Sequence, residues 1–197
     1  MKPYSPSCDE NKEPVLAVLR EVFSVAKHVL EIGSGTGQHA VFFAGQLPHL
    51  VWQASDVTEH LAGIQLWLEE AVLPNTPLPL ELDVTSERWP STEIDAIFSA
   101  NTAHIMAWPK VESMFAGIGR SLRPGGVLAL YGPFNYNGSY TSESNARFDS
   151  WLKARDPLSG VRDFELLEAL AETHGLQLQQ DYAMPANNRT LVWRKTG

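Results

Sequence analysis

Val29-Leu30-Glu31-Ile32-Gly33-Ser34-Gly35-Thr36-Gly37 is a short apolar run with one acidic residue, closed by three glycines at every second position. A helix-compatible segment, Gln38 to Leu47, follows at once. An apolar run feeding a glycine turn and then a helix reads as the first strand, loop and helix of a nucleotide-binding α/β sheet. Glycine lacks a Cβ, so it permits both a tight turn and a close backbone approach to a ligand. The competing reading is a glycine loop that only turns the chain.

The order of the glycines narrows the ligand. The dinucleotide fingerprint G-x-G-x-x-G holds a pyrophosphate at the helix N-terminus. Here the last glycine comes one residue early, at Gly37, and Gln38 stands at the fingerprint position. Glu31 sits at the strand end beside the loop. A carboxylate there repels a pyrophosphate and attracts a cation. The pattern resembles motif I of the class I S-adenosylmethionine methyltransferases, whose ligand carries an ammonium and a sulfonium and no phosphate.

Outward from the loop, strands and helices alternate. Residues 1–10 are polar and read as loop. Pro14 suits the first turn of a helix, where its missing N–H has no partner to lose. Val15, Val18, Leu19, Val22 and Phe23 then keep helical spacing. Strand one covers 28–32, and the helix after it puts Ala40, Phe43, Ala44 and Leu47 on one face. Strand two, Leu50 to Ala54, ends at Ser55-Asp56. A helix from Thr58 to Val72 has Leu61, Ile64, Leu68 and Val72 on its apolar side. Strand three, Leu78 to Leu82, ends at Asp83, and strand four is the nearly continuous apolar run Ile94 to Ser99. Pro109 opens a helix that ends near Leu122, and Pro124-Gly125-Gly126 turns into strand five, Val127 to Tyr131.

The end of the chain departs from a minimal sheet. Residues 132–161 form an insertion rich in polar and aromatic groups, with a helix at Ser144 to Ala154 whose apolar face is Phe148, Trp151 and Leu152. A helix from Asp163 to His174 is stopped by Gly175 at the C′ position. Leu176 to Met184 and Thr190 to Lys195, joined by Pro185 to Arg189, make a hairpin. The expected fold is therefore α/β, Rossmann-like, of the class I methyltransferase kind. It has a seven-stranded, mostly parallel sheet, a C-terminal antiparallel hairpin and helices on both faces. A dinucleotide dehydrogenase is not expected to end this way. No repeat or linker divides the 197 residues, so one domain is expected, with 1–27 as an N-terminal lid or helix and 132–161 as a substrate-side insertion.

Composition bounds the partners. Charged residues are 19% and hydrophobic residues 44%, ordinary for a globular chain. A formal charge of −8 without a basic patch argues against nucleic acid. Arg147, Lys153, Arg155 and Arg162 are interleaved with Asp149, Asp156 and Asp163, which suits a solvated surface or a small acidic substrate. Cys8 is the single cysteine, the N-terminus is polar and no run reaches transmembrane length. A cytoplasmic protein is expected, without membrane contact, as a monomer or homodimer. The six histidines (His28, His39, His49, His60, His104 and His174) lack metal-ligand spacing, so no metal site is expected.

Further segments extend the resemblance over essentially the whole chain. They are Ser5-Pro6 to Asn11-Lys12-Glu13-Pro14, Glu31 to His39, Asn101-Thr102-Ala103-His104-Ile105 and Tyr131-Gly132-Pro133-Phe134. Thr141 to Asn145, Arg162-Asp163 and Met184-Pro185-Ala186-Asn187-Asn188 complete the set. Together they resemble the methyltransferase-like 26 family, a domain-of-unknown-function family of class I methyltransferases. Two departures are local: Ala54 stands where that family has proline, and Met106-Ala107-Trp108 where it usually has Ser-Pro-Trp. The resemblance implies the fold and S-adenosylmethionine, with S-adenosylhomocysteine as product. It implies no particular substrate.

Site residues follow from topology. The cofactor is expected against Glu31, Gly33, Ser34, Gly35, Gly37, Gln38, His39, Asp56, Asp83, Val84 and Asn101. Glu31 is read either as accepting from the cofactor ammonium or as anchoring the loop. Asp56 is read as accepting from ribose hydroxyls, Asp83 as reading the adenine amino group or capping a turn, and Val84 as packing on adenine. His104, Asn101 and Tyr136 are the catalytic candidates. His104 is read as a general base near neutrality or as a histidine satisfied by a backbone carbonyl. Tyr131, Phe134, Asn135, Asn145 and Arg147 are candidates for the acceptor pocket, joined by Asn187 and Asn188. Tyr4, Asn11 and Lys12 are read as a lid or as helix entry. The function expected is methyl transfer to a small-molecule oxygen or nitrogen acceptor. The alternative is a cofactor-binding regulatory or protein-interaction module without catalysis.

Overall fold

His28–Ile32 (β1) is flanked on both sides by parallel strands, Val51–Asp56 (β2) and Ile94–Ala100 (β4). A strand so enclosed has no solvent face, which is why Val29, Leu30 and Ile32 are all buried and apolar. The computed structural model describes residues 2–90 and 94–197. Outside β2 lies the two-residue strand Leu80–Glu81 (β3), and outside β4 lies Leu122–Gly132 (β5). Then come Arg189–Lys195 (β9) and Leu176–Ala183 (β8), both antiparallel to their neighbours. The sheet order is β3-β2-β1-β4-β5-β9-β8. A separate pair, Phe134–Asn135 (β6) and Arg162–Asp163 (β7), closes the base of the insertion.

Helices cover both faces, as a buried parallel sheet requires. Pro6–Val22 (α1), Gln38–Gln46 (α2) and Thr58–Ala71 (α3) share a core with Leu19, Phe43, Trp52 and Phe98. Trp108–Ser121 (α4) and Phe164–Thr173 (α6) share the other with Phe115, Ile118, Leu167 and Trp193. Each fully buried side chain of this size contributes about 1.5–3 kcal/mol through burial. The remaining helix, Glu143–Arg155 (α5), is capped by the Ser142 hydroxyl, which accepts from the Asn145 N–H at 3.1 Å.

Local expectations needed correction where tertiary contacts overrode propensity. Residues 6–10 are helix rather than loop, because α1 begins at Pro6, and Pro14 lies inside the helix instead of opening it. The first turn is held from outside: the Ser5 N–H donates to Gln38 Oε1 at 2.6 Å. Strand three is shorter than Leu78 to Leu82, and Leu78 is exposed because the prolines before it keep the chain off the sheet. Val72 is not on the apolar face of α3 but caps it at φ 51°, largely exposed. Pro124 to Gly126 lie within β5, where the register with β4 shifts between Ile94 and Ala96.

Candidate functional site

The strand order reverses between β1 and β4, so their connections leave in opposite directions and a crevice opens at their carboxyl ends. The glycine loop fills the floor of that crevice, and its three glycines do not all face the same thing. Gly33, at φ 72°, lies so close to Thr102 that a Cβ would stand 2.6 Å from its hydroxyl. Gly37, at φ 90°, backs onto α3, where a Cβ would meet the Ile64 Cα at 3.0 Å. Gly35, at φ 57°, faces open space, with nothing within 4 Å of a Cβ position. Two glycines therefore admit protein; the middle one admits something else.

That open space is a cavity of roughly 360 Å³. Gly33, Ser34, Gly35, His39, Asp56, Asp83, Val84 and Asn101 line it, as the sequence placed them. Glu31, Gly37 and Gln38 do not reach its wall. Glu31 is fully buried under the loop and accepts from the Ser34 hydroxyl (2.7 Å) and the Trp52 indole N–H (3.2 Å). Burial raises its pKa to about 7, against the lowering effect of those two donors. The Ser34 hydroxyl in turn accepts from the Ser55 N–H at 3.1 Å. Glu31 thus anchors the loop through side-chain donors. Gln38 acts at one remove, by holding the start of α1.

Asp56 is already engaged. One carboxylate oxygen accepts from the Gly35 N–H at 2.7 Å; the other accepts from the Val57 N–H at 2.8 Å and bonds His60 Nδ1 at 2.9 Å. It fixes the height of the Gly35 backbone while its edge faces the cavity. Asp83 closes a turn with Oδ1, which accepts from the N–H and hydroxyl of Thr85 at 2.9 and 2.8 Å. Those two bonds hold its carboxyl below the usual range. His39 Nε2 bonds Asn11 Oδ1 at 2.6 Å and stacks on Phe43. Burial pulls its pKa down to about 4, so the ring is neutral near pH 7.

A second cavity of roughly 700 Å³ opens beside the first. Ser5, Ser7, Asn101 and Ile105 line both. Asn101 follows β4 at φ 56°, the left-handed region that asparagine tolerates better than most residues. His104 lines the larger cavity, buried, with its ring edge-on to Phe148 at 5.2 Å. Burial first, and the nearby Arg162 guanidinium second, lower its pKa to about 4. A general base works best with a pKa near the operating pH; His104 is instead a neutral, weakly basic imidazole at pH 7. Tyr131, Asn145, Asn187 and Asn188 line the same cavity.

Tyr136 lies elsewhere. Its hydroxyl donates to Asp181 at 2.7 Å, its ring stacks on Phe164, and it faces a third cavity beside Arg189, which meets the larger one at Asn187 and Asn188. Burial and the Asp181 carboxylate raise its pKa. The structure does not bring it to His104 and Asn101. Phe134, Asn135 and Arg147 also stay off the larger cavity. Of the lid candidates, Asn11 lines that cavity, whereas Tyr4 and Lys12 bond Asp9 on the surface. Sequence reasoning missed Ser5, Ser7 and Cys8 on α1, and His60, Met106 and Lys110 on the smaller cavity. The lid expected of residues 1–27 named Tyr4, Asn11 and Lys12, whereas it is Ser5, Ser7 and Cys8 that border the smaller cavity.

The order 3-2-1 then 4-5, ended by an antiparallel hairpin over a glycine-loop cavity, defines a Rossmann-like methyltransferase fold. Residues 2–195 match the family described as "Protein of unknown function (DUF938)", and the chain belongs to that family. Among solved structures it is similar to the mitomycin 7-O-methyltransferase MmcR, with 16% identity and a TM-score of 0.83 over 96% of this chain and 54% of that one. It is similar to the S-adenosylmethionine-dependent methyltransferase SibL, with 18% identity and a TM-score of 0.82 over 97% and 56%. An O-methyltransferase family protein from Burkholderia thailandensis aligns at 14% identity and a TM-score of 0.81 over 94% and 56%. The chain spans just over half the length of these structures. Among the described residues no helix is long and apolar enough to cross a membrane, and no group of three or more His, Cys, Asp or Glu is placed to hold a metal.

Proposed function

We propose that this protein is an S-adenosylmethionine-dependent methyltransferase of the methyltransferase-like 26 type, acting on a small-molecule oxygen or nitrogen acceptor. The carrying observation is a pair of cavities that meet at Asn101 and Ile105, at the carboxyl ends of β1 and β4. One is floored by an open glycine, and the other has room for a second molecule. The residues fit the cofactor. Gly35 leaves its backbone bare on the cavity side, Asp56 presents a carboxylate edge, and Asp83 and Val84 stand at the end of β3. The cofactor supplies an activated methyl group and takes the leaving electrons on sulfur.

The chain's own contribution is alignment and exclusion of water. Asn101, at the junction, orients what lies on either side. His104 stays neutral across the physiological range and offers a ring nitrogen to an acceptor hydrogen. The second cavity supports an enzyme over a regulatory module, which would need only the first. Thermal unfolding with S-adenosylmethionine, S-adenosylhomocysteine and NAD in parallel tests the reading. At about 100 times the dissociation constant a ligand stabilises by roughly 2.7 kcal/mol. Stabilisation by the two adenosyl compounds but not NAD is expected; a response to NAD alone, or to none, overturns the proposal.

A further inference from the structure

One side of helix α5 borders empty space. Ser144, Asn145, Phe148, Trp151, Leu152 and Arg155 recur at helical spacing and all line the larger cavity. Phe148 and Trp151 stack on each other, with centroids 5.8 Å apart and planes 17° apart, and the Arg155 guanidinium lies 4.6 Å from the Trp151 ring. His104 extends the row from the other side of Phe148. The flank of α5 beside this row is fixed to the protein through Asp149. Asp149 is buried and accepts from the Lys153 ammonium (2.6 Å), the Tyr140 hydroxyl (2.7 Å) and the Val161 N–H (2.8 Å). Phe148 and Trp151 belong to neither core cluster, and Trp151 remains 51% exposed. Aromatic faces left over a cavity are suited to another flat ring.

Within the row and across from it, on the β8–β9 turn, stand carboxamides whose hydrogens are largely spoken for. Asn145 Nδ2 donates to Thr141 Oγ1 (2.9 Å) and to the Asn187 carbonyl (3.1 Å). Asn187 Nδ2 donates to Ser144 Oγ at 3.2 Å, and Asn188 Nδ2 donates to the Tyr131 hydroxyl at 3.0 Å. Among the described residues, the Oδ1 atoms of all three have no protein partner. These are acceptors, so the complementary ligand brings donors. Charge is sparse: among the described residues, Glu10 and Arg155 are the acidic and basic side chains of the lining, one of each sign. A phosphate would find a single arginine, already laid against Trp151.

We propose that the methyl acceptor is a flat ring compound without phosphate, stacked along Phe148 and Trp151, whose hydroxyl or amino hydrogens are received by Asn145, Asn187 and Asn188. The inference deepens the methyltransferase reading and rests on it for the word acceptor. Binding of the ring itself is measured separately.

The test is a calorimetric titration of the full chain with 7-hydroxycoumarin, 7-aminocoumarin, 7-methoxycoumarin and coumarin-7-phosphate. Each is run with and without S-adenosylhomocysteine, which is also titrated alone. The hydroxy or amino compound is expected to bind, with the methoxy compound about tenfold weaker for the lost hydrogen bond and the phosphate weaker still. Trp151→Ala, on a half-exposed side chain that folding does not need, is expected to weaken the ring about three- to tenfold and leave S-adenosylhomocysteine unchanged. Phe148→Leu should act in the same direction. Binding of none of the rings, equal binding of the methoxy compound, or preference for the phosphate overturns the proposal. Ring binding without S-adenosylhomocysteine binding keeps this site and sinks the cofactor reading instead.

Discussion

The two cavities share four residues but are built by opposite means. The smaller is made of strand ends and backbone: its polar groups are tied to one another through Glu31, Ser34, Ser55 and Asp56, a few residues from their strands. The larger is assembled from α1, the 132–161 insertion and the β8–β9 turn, and it is left with aromatic faces and unpaired side-chain oxygens. Connectivity fixes the first. Long-range docking of α1, the insertion and the hairpin turn fixes the second.

The largest effect that separates them lies in the glycines. Gly33→Ala and Gly37→Ala each combine positive φ with a backbone or side-chain collision. Each is expected to destabilise by about 2–5 kcal/mol, the sum of left-handed strain and overpacking. Gly35→Ala bears the strain alone, about 1–2 kcal/mol, yet its methyl enters the smaller cavity, so affinity for S-adenosylhomocysteine should fall about tenfold or more. Chemical denaturation beside calorimetry checks all three. Equal stability losses would erase the distinction between glycines that face protein and the one that faces a ligand.

Acid titration sets one buried histidine of each cavity against the buried glutamate. His39 and His104 fold with pKa values of about 4, below the ordinary 6.5. Their neutral form is favoured by the fold, so stability present above pH 6.5 is lost as pH falls toward 4, by about 3 kcal/mol each. Glu31 runs the other way. With its pKa raised to about 7, its contribution is complete at pH 4.5 and is lost as pH rises through 7, also by about 3 kcal/mol. Glu31's loss overlaps the histidines' gain, so denaturation midpoints should climb from pH 4 to about 6.5, less steeply than the histidines alone would give, and then level off as the two nearly cancel. Glu31→Gln should steepen the climb, and an unchanged slope would refute this account of Glu31.

Smaller effects probe the larger cavity alone. Asn145→Ala loses the bond to Asn187 that joins α5 to the hairpin turn and the local bond to Thr141 before the helix. A cost of about 1–2 kcal/mol is expected, with S-adenosylhomocysteine affinity unchanged by calorimetry. Arg147→Ala should move the thermal midpoint hardly at all, within about 0.5 kcal/mol, because its 3.7 Å pair with Glu143 is exposed on both sides. A large loss of ring binding in that variant would return Arg147 to the site.

The contrast also explains what the sequence disclosed. Gly33, Gly35, Asp56, Asp83 and Asn101 sit at strand ends, where a local apolar run followed by a break marks the position, and all reach the cavity. Glu31 was legible as important, but its partner was not: Trp52 is distant in sequence and meets it only once β1 and β2 pair. Tyr136 follows β5 closely and so looked central. The chain turns away at β6, and no local pattern announces the β6–β7 pairing with Arg162 that redirects it. The first turn of α1 hid for the same reason. Its hold on Gln38 spans 33 residues, and polar Ser5 to Asp9 carry no apolar stripe.

That first turn has a thermodynamic consequence. Ser5 and Ser7 border both cavities, as do Asn101 and Ile105. A ligand that repositions any of the four alters the neighbouring chamber. Linkage then demands symmetry: whatever factor the first occupant adds to the affinity of the second, the second returns to the first.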